Sequence, residues 1–206
     1  MKKTVLGVLA GVLALTILFA GCTGGAFDAA NEITVISREE GSGTRGAFVE
    51  LFGVEEEDES GEKVDRTVAT ADVQTSTGVV LTSVSGNRNA IGYISLGSLN
   101  DTVKALQIDG VAPSVAAVKD GSYKIARPFN IAYNEASLSD AAREFIAYSL
   151  SAEGQQIVEE AGYIPVSENA AAFASSGASG TVTVSGSSSV TPVMEKLKEA
   201  FAAVNA

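Results

Sequence analysis

Ile33-Thr-Val-Ile-Ser-Arg-Glu-Glu-Gly-Ser-Gly-Thr-Arg-Gly-Ala-Phe48 is the stretch on which the reading of this chain turns. Ile33 to Ile36 reads as a short β-branched strand. Arg38 follows in a polar turn, and Gly41-Ser42-Gly43-Thr44 opens a helix. The first-turn N–H groups of a helix have no intrahelical partner, and the aligned peptide dipoles place roughly half a positive charge there. A glycine-flanked hydroxyl turn at that point predicts a site for a small oxyanion, phosphate foremost. Gly41 and Gly43 let backbone approach a ligand, and Ser42 and Thr44 add hydroxyl donors. Arg38 adds a planar fork matched to a tetrahedral anion. The same residues also fit a plain N-cap at Ser42, a turn glycine at Gly41 and an Arg38–Glu40 pair, so the motif alone leaves both readings open. It is not a Walker A loop, since no Gly-Lys-Ser/Thr follows.

Composition narrows the chemistry. The chain has 206 residues, 46% of them hydrophobic, which is enough for one domain with a real core or somewhat more than one. It has no histidine, and Cys22 is the only cysteine. Ser-His-Asp and Cys-His catalysis, Cys/His zinc sites and histidine-ligated haem therefore lose their principal residue. No metal site or cofactor is expected. The net charge is −11, or −13 once Lys2 and Lys3 leave with the leader, which argues against a nucleic-acid surface. It does not oppose anion binding, because backbone dipoles and one buried arginine act locally.

Residues 1–21 read as a signal peptide: Lys2-Lys3, an apolar run from Val5 to Phe19, then Phe19-Ala20-Gly21-Cys22. Small residues ahead of a cysteine resemble a lipobox. Cys22 is therefore expected to be a diacylated anchor holding the protein outside the cytoplasm on the bacterial cell membrane, with residues 22–31 as a tether. An ordinary signal peptide or an uncleaved membrane helix is the alternative.

Beyond the opening motif, a helix carries Phe48, Leu51 and Phe52 on one face and stops at Gly53. Glu55 to Glu59 and Glu62 read as a solvated acidic loop without the alternating pattern of a calcium loop. Ser76-Thr77-Gly78 is a second capping turn, ahead of a helix or strand-helix element near Val79 to Val84. Strands are expected at Ala90–Ser95, Val103–Ile108 and Lys124–Tyr133, with a turn at Asp109-Gly110. Helices are expected from Ser137 through Leu150, with Ala142, Phe145, Ile146 and Leu150 inward, and from Ser151 to Ala161. Residues 167–180, rich in Ser, Ala and Gly, read as a linker. Thr181-Val-Thr-Val184, Ser185-Gly-Ser-Ser-Ser189 and a helix through Val204 then repeat the strand, hydroxyl turn and helix of the opening motif. Met194, Leu197 and Phe201 are the expected inward face of that helix. Strands alternating with helices predict an α/β fold with a mixed sheet flanked by helices.

Together the two units resemble the periplasmic phosphate-binding proteins of phosphate ABC transporters, within the type II substrate-binding-protein class. The matching stretches are Arg38-Glu-Glu-Gly-Ser-Gly-Thr44, Thr183-Val-Ser-Gly-Ser-Ser-Ser-Val-Thr-Pro192, Ala90-Ile-Gly-Tyr-Ile94 and Glu153-Gly-Gln-Gln-Ile157. The resemblance implies a type II binding-protein-like lobe at residues 32–166 and the start of another lobe at 181–206. It implies phosphate held by Arg38, oriented by Glu40, with donors from Ser42, Gly43 and Thr44 on one side and Ser188, Ser189 and Val190 on the other. It also implies an ABC transporter permease as partner and no catalysis.

In that family the segment resembling residues 181–205 comes first. Here the order is reversed, and the family's second serine donor and its acceptor aspartate have no match. A fragment of a longer tandem or permuted protein is the favoured explanation; a gene remnant or a half-site completed by another chain are the others. The expected function is therefore an extracytoplasmic, lipid-anchored phosphate-binding component of an ABC importer. The alternatives are an extracellular adhesion or signalling module on the same fold, a non-functional fragment, or a carboxylate-based hydrolase.

Overall fold

The computed structural model of the chain describes residues 29–205. The signal peptide, Cys22 and all but the end of the tether lie outside them. By its contacts the chain divides into residues 1–33 and residues 34–206. Of the first unit, the described part is a turn at residues 29–31 and two residues without regular structure. The second unit holds the regular elements.

Its sheet is built on β1 (Thr34–Arg38), whose β-branched residues suit a pleated, covered surface. Parallel partners flank β1 on both edges. β4 (Asp72–Gln74) pairs Ile36 with Asp72 and Arg38 with Gln74, and β5 (Ala90–Ile91) pairs Thr34 with Ala90. Parallel neighbours need crossovers, and helices supply them: α1 (Gly43–Leu51) leaves β1, and α2 (Thr77–Gly86) joins β4 to β5. The sheet is thus wholly parallel and β1 is central. The antiparallel pairing expected of a mixed sheet sits apart in a hairpin. Ile36 and Val80 are buried between sheet and α2.

That hairpin, β2 (Glu55–Glu57) with β3 (Lys63–Asp65), replaces the expected acidic loop. Asp58 explains it: one carboxylate oxygen accepts from the Ser60 amide at 2.8 Å and the Glu62 amide at 3.0 Å, which closes the turn. Lys63 then meets Glu55 across the strands at 2.8 Å.

A second core lies among three helices. α4 (Asp140–Ser149), α5 (Ala152–Glu160) and α6 (Thr191–Val204) bury Phe145, Tyr148, Tyr163, Val193 and Leu197 together. The buried face of α4 runs through Ala141, Glu144, Phe145 and Tyr148; Leu150, expected inward, is exposed as the C-cap. Three short elements complete the unit: 3₁₀ turns at Leu96–Ser98 and Glu135–Ser137, and α3 (Val115–Lys119).

Three expected strands did not form. Residues 103–108, 124–133 and 181–184 are irregular, with only an isolated Ile108–Val111 bridge closing the Asp109-Gly110 turn. The expected strand at Ala90–Ser95 is ordered as a ladder only over Ala90–Ile91. Alternation fixes which side chains share a face, but ladder bonds come from a neighbouring strand. Among the described residues these segments have none, and Ile131, Tyr133 and Val184 stay exposed.

Candidate functional site

Arg38 ends β1 and is only 2% exposed, so its charge must be met from within the protein. Its backbone is braced on both sides. The Arg38 amide donates to the Tyr93 hydroxyl at 3.1 Å, and the Arg38 carbonyl accepts from Arg45 Nη1 at 2.9 Å. Tyr93 is itself held by the Ser37 hydroxyl at 2.9 Å and by stacking on Phe48, with ring centroids 4.0 Å apart. Arg45 is tied to Asp65 at 2.8 Å.

The guanidinium fork faces a carboxylate on one side and hydroxyls on the other. Nε and Nη2 donate to the two oxygens of Glu39 at 2.7 and 2.9 Å. Nη2 also donates to Ser188 Oγ at 3.3 Å, and Nη1 to Thr77 Oγ1 at 3.4 Å. The Arg38 hydrogen bonds hold the Glu39 carboxyl below the usual carboxylate range despite its partial burial. The acidic partner is therefore Glu39, not Glu40. Glu40 falls in the turn ahead of Gly41 (φ 80°) and is exposed, so the carboxylate in reach of the strand-end arginine is its immediate neighbour.

Around this fork four hydroxyls interlock. Ser188 Oγ accepts from the Thr77 amide at 3.2 Å and lies 3.3 Å from Thr77 Oγ1. Ser189 Oγ lies 3.2 Å from Thr77 Oγ1 and 2.6 Å from Thr44 Oγ1. Thr44 is in the first turn of α1, Thr77 begins α2, and Ser188 and Ser189 immediately precede α6. The starts of three helices therefore meet in one hydroxyl cluster, of which Thr77 and Ser188 touch the buried guanidinium, and all three dipoles favour negative charge there. A hydroxyl both donates and accepts, so each of these can turn its proton from its neighbour to an incoming acceptor. A cavity of about 460 Å³ opens beside the cluster, lined by Ser76, Thr77, Gly78, Ser98, Ser188 and Thr191 among others.

Of the residues singled out from sequence, Arg38, Thr44, Ser188 and Ser189 meet in this network. Ser42 is the N-cap of α1, its Oγ accepting from the Arg45 amide at 3.4 Å, and it is buried; Gly43 is the first helical residue. Val190 precedes α6, and its amide donates to the Ser187 carbonyl at 3.0 Å. Thr77, Glu39, Tyr93 and Arg45 were not singled out as site residues. Thr77 carried a signal, since Ser76-Thr77-Gly78 repeats the hydroxyl–glycine helix start of Ser42-Gly43-Thr44. Gly41, Gly43 and Gly46 also meet the glycine spacing of a dinucleotide-binding turn. Asp65, the acidic residue at a suitable distance along the chain, is already engaged by Arg45 and Thr67. No group of His, Cys, Asp and Glu side chains that would hold a metal ion occurs among the described residues.

The family profile described as the PBP superfamily domain matches residues 25–153. Phosphate-binding protein PstS 2 of Streptococcus agalactiae is 52% identical over 208 residues, covering all of this chain and 70% of that protein. The chain belongs to the PstS family of phosphate-binding proteins. That alignment spans the whole chain, so it takes in both the Arg38 segment and the Ser185–Ser189 segment in the order they have here. The crystal structure of a phosphate-binding protein of a phosphate ABC transporter from Streptococcus pneumoniae is similar, with a TM-score of 0.68 and 48% identity. It covers 85% of this chain and 67% of its own. A substrate-binding protein assigned to phosphate ABC transport in Clostridium perfringens, solved with phosphate bound, has a TM-score of 0.59 and 39% identity. Its match covers 66% of this chain and 52% of its own, so this chain spans about half of that relative. The fold is that of the type II binding proteins of this family.

Proposed function

We propose that this chain is the extracytoplasmic phosphate-binding component of an ABC-type phosphate importer, and that it delivers its ligand to a membrane permease without chemical change. The observation that carries this reading is the buried Arg38 fork, touched by the Thr77 and Ser188 hydroxyls, which belong to a cluster joining the starts of three helices. The names of the relatives support the choice of phosphate among oxyanions.

In this reading residues 32–166 carry the Arg38 side of the site, and residues 181–206, whose helix α6 packs in one core with α4 and α5, bring in the facing donors across the connecting residues 167–180. Phosphate enters between the Arg38 fork and the hydroxyls of Thr44, Thr77, Ser188 and Ser189. The amides of Gly43 and Thr44 and the Ser42 hydroxyl complete the donor set; the Val190 amide, expected among the donors, is held by the Ser187 carbonyl. Glu39 keeps the guanidinium oriented. Charge-assisted hydrogen bonds of this kind are short and strong, and the helix termini add their dipoles without moving. Cys22 anchors the protein to the membrane through its acyl chains, outside the described residues.

Isothermal titration with inorganic phosphate, alongside an assay of p-nitrophenyl phosphate hydrolysis, tests the reading. Saturable heat with no released nitrophenol is expected. Saturable turnover would make the protein a hydrolase. Neither signal would leave an adhesion or signalling module.

A further inference from the structure

Tyr163 follows Gly162 at the end of α5, far along the chain from the anion cluster, yet it reaches that cluster through one hydrogen bond. Its hydroxyl donates to the Ser189 carbonyl at 2.6 Å. We propose that Tyr163 is a positioning residue for the anion site, fixing the Ser189–Val190 peptide through this hydrogen bond while Gly97 locks its ring in place. The proposal rests on the phosphate reading above.

The ring is held on several sides. It is 7% exposed within the core of α4, α5 and α6, and its edge meets Phe129 with centroids 6.1 Å apart. A Cβ on Gly97 would lie 2.6 Å from Tyr163 Cε1 and Cε2, inside van der Waals contact, so only glycine leaves room for the ring. Gly97 belongs to the 3₁₀ turn at Leu96–Ser98, and both Gly97 and Ser98 line the cavity beside Ser188. One residue thus joins the helical core, the cavity wall and the start of α6.

The peptide it grips matters because Ser189 carries a hydroxyl of the anion site and a trans peptide is planar: the Ser189 carbonyl is held at one edge by Tyr163, and the Val190 N–H at the other edge donates to the Ser187 carbonyl at 3.0 Å. Ser189 Oγ, on the same residue, touches Thr44 and Thr77. Burial pushes the Tyr163 hydroxyl pKa up, against a smaller opposing effect from Ser98, so the group stays a protonated donor at neutral pH.

The test is isothermal titration of inorganic phosphate into the full chain, run well below each protein's thermal midpoint. The proteins are the wild type, Arg38→Ala, Tyr163→Phe, Gly97→Ala, and Gly97→Ala with Tyr163→Phe. Tyr163→Phe keeps the ring and loses the bond, and should weaken phosphate binding about three- to tenfold. Gly97→Ala should weaken it too, but by less when Tyr163→Phe is already present, since both remove one contact. If Gly97→Ala does not fold, Tyr163→Phe decides alone. Unchanged affinity in Tyr163→Phe, with Arg38→Ala still defective, would overturn the positioning role only, even if the thermal midpoint falls. No phosphate binding by the wild type would overturn the functional reading, and this proposal with it.

Discussion

Thr44 Oγ1 and Ser189 Oγ lie 2.6 Å apart although 145 residues separate them in the chain. One hydroxyl belongs to the turn that follows the central strand, the other to the turn before the last helix. Their contact joins the two hydroxyl turns at one point, with Thr77 touching Ser189 and Arg38 Nη1 as well. The hydroxyls satisfy one another in this arrangement, and an anion that accepts from all of them replaces weak neutral contacts with charge-assisted ones.

Thr77→Val keeps the side-chain shape and removes the hydroxyl, which is a change in hydrogen bonding more than in volume. Loss of one net hydrogen bond of about 1 kcal/mol should weaken phosphate binding roughly fivefold by titration. An affinity equal to wild type would remove Thr77 from the site.

Glu144 controls the stretch read as a linker. Its carboxylate accepts from the Ser175 hydroxyl at 2.5 Å, the Ser176 amide at 2.7 Å, the Ser176 hydroxyl at 2.9 Å and the Ala178 amide at 2.8 Å. The Ser175 hydroxyl, followed by the other donors, lowers its pKa from 4.5 to about 2 against the effect of burial. A depressed carboxylate stabilises the fold above its unfolded pKa, and that contribution is lost as pH falls from about 4.5 toward 2. The thermal midpoint of the wild type should therefore fall more steeply over that window than that of Glu144→Gln. Parallel falls would show that the carboxylate does not hold residues 175–178.

Leu197→Ala opens the core shared by α4, α5 and α6, where Leu197 is 3% exposed. A buried Leu→Ala change costs about 2–5 kcal/mol, visible as a lower urea midpoint with an unchanged slope. A loss under about 1 kcal/mol would mean that α6 is not part of that core.

Cys22→Ser removes the proposed acylation site. The protein should leave the membrane fraction while phosphate binding stays as it was. Retention in the membrane would argue for an uncleaved N-terminal helix instead.

The parts legible in the sequence were those written locally. Ser42, Ser76 and Ser151 are N-caps because a short hydroxyl ahead of an apolar periodic run satisfies a first-turn amide, a pattern carried by the local sequence. Arg38 is expected in the turn after the strand, but it ends β1 itself because β4 carries the ladder on to the Arg38–Gln74 pair. The partner of Arg38 was not legible, because the choice between Glu39 and Glu40 depends on how the chain leaves β1 and enters the Gly41 turn. The acidic hairpin was missed because charge suggested solvent, while Asp58 closing the turn and Lys63 facing Glu55 decided the structure. Residues 124–133 show the reverse: alternation was present, but a ladder needs a neighbour that local pattern does not supply. Thr77 and Tyr163 reach the cluster through contacts far apart in sequence, and no spacing rule marks those.

The most direct measurement is phosphate titration of the wild type beside Arg38→Ala, with sulfate as the competing oxyanion. A charged hydrogen-bonded contact contributes about 1.5–3 kcal/mol, so phosphate affinity should fall at least about tenfold when Arg38 is removed. Equal phosphate affinity in the two proteins would contradict the site described here.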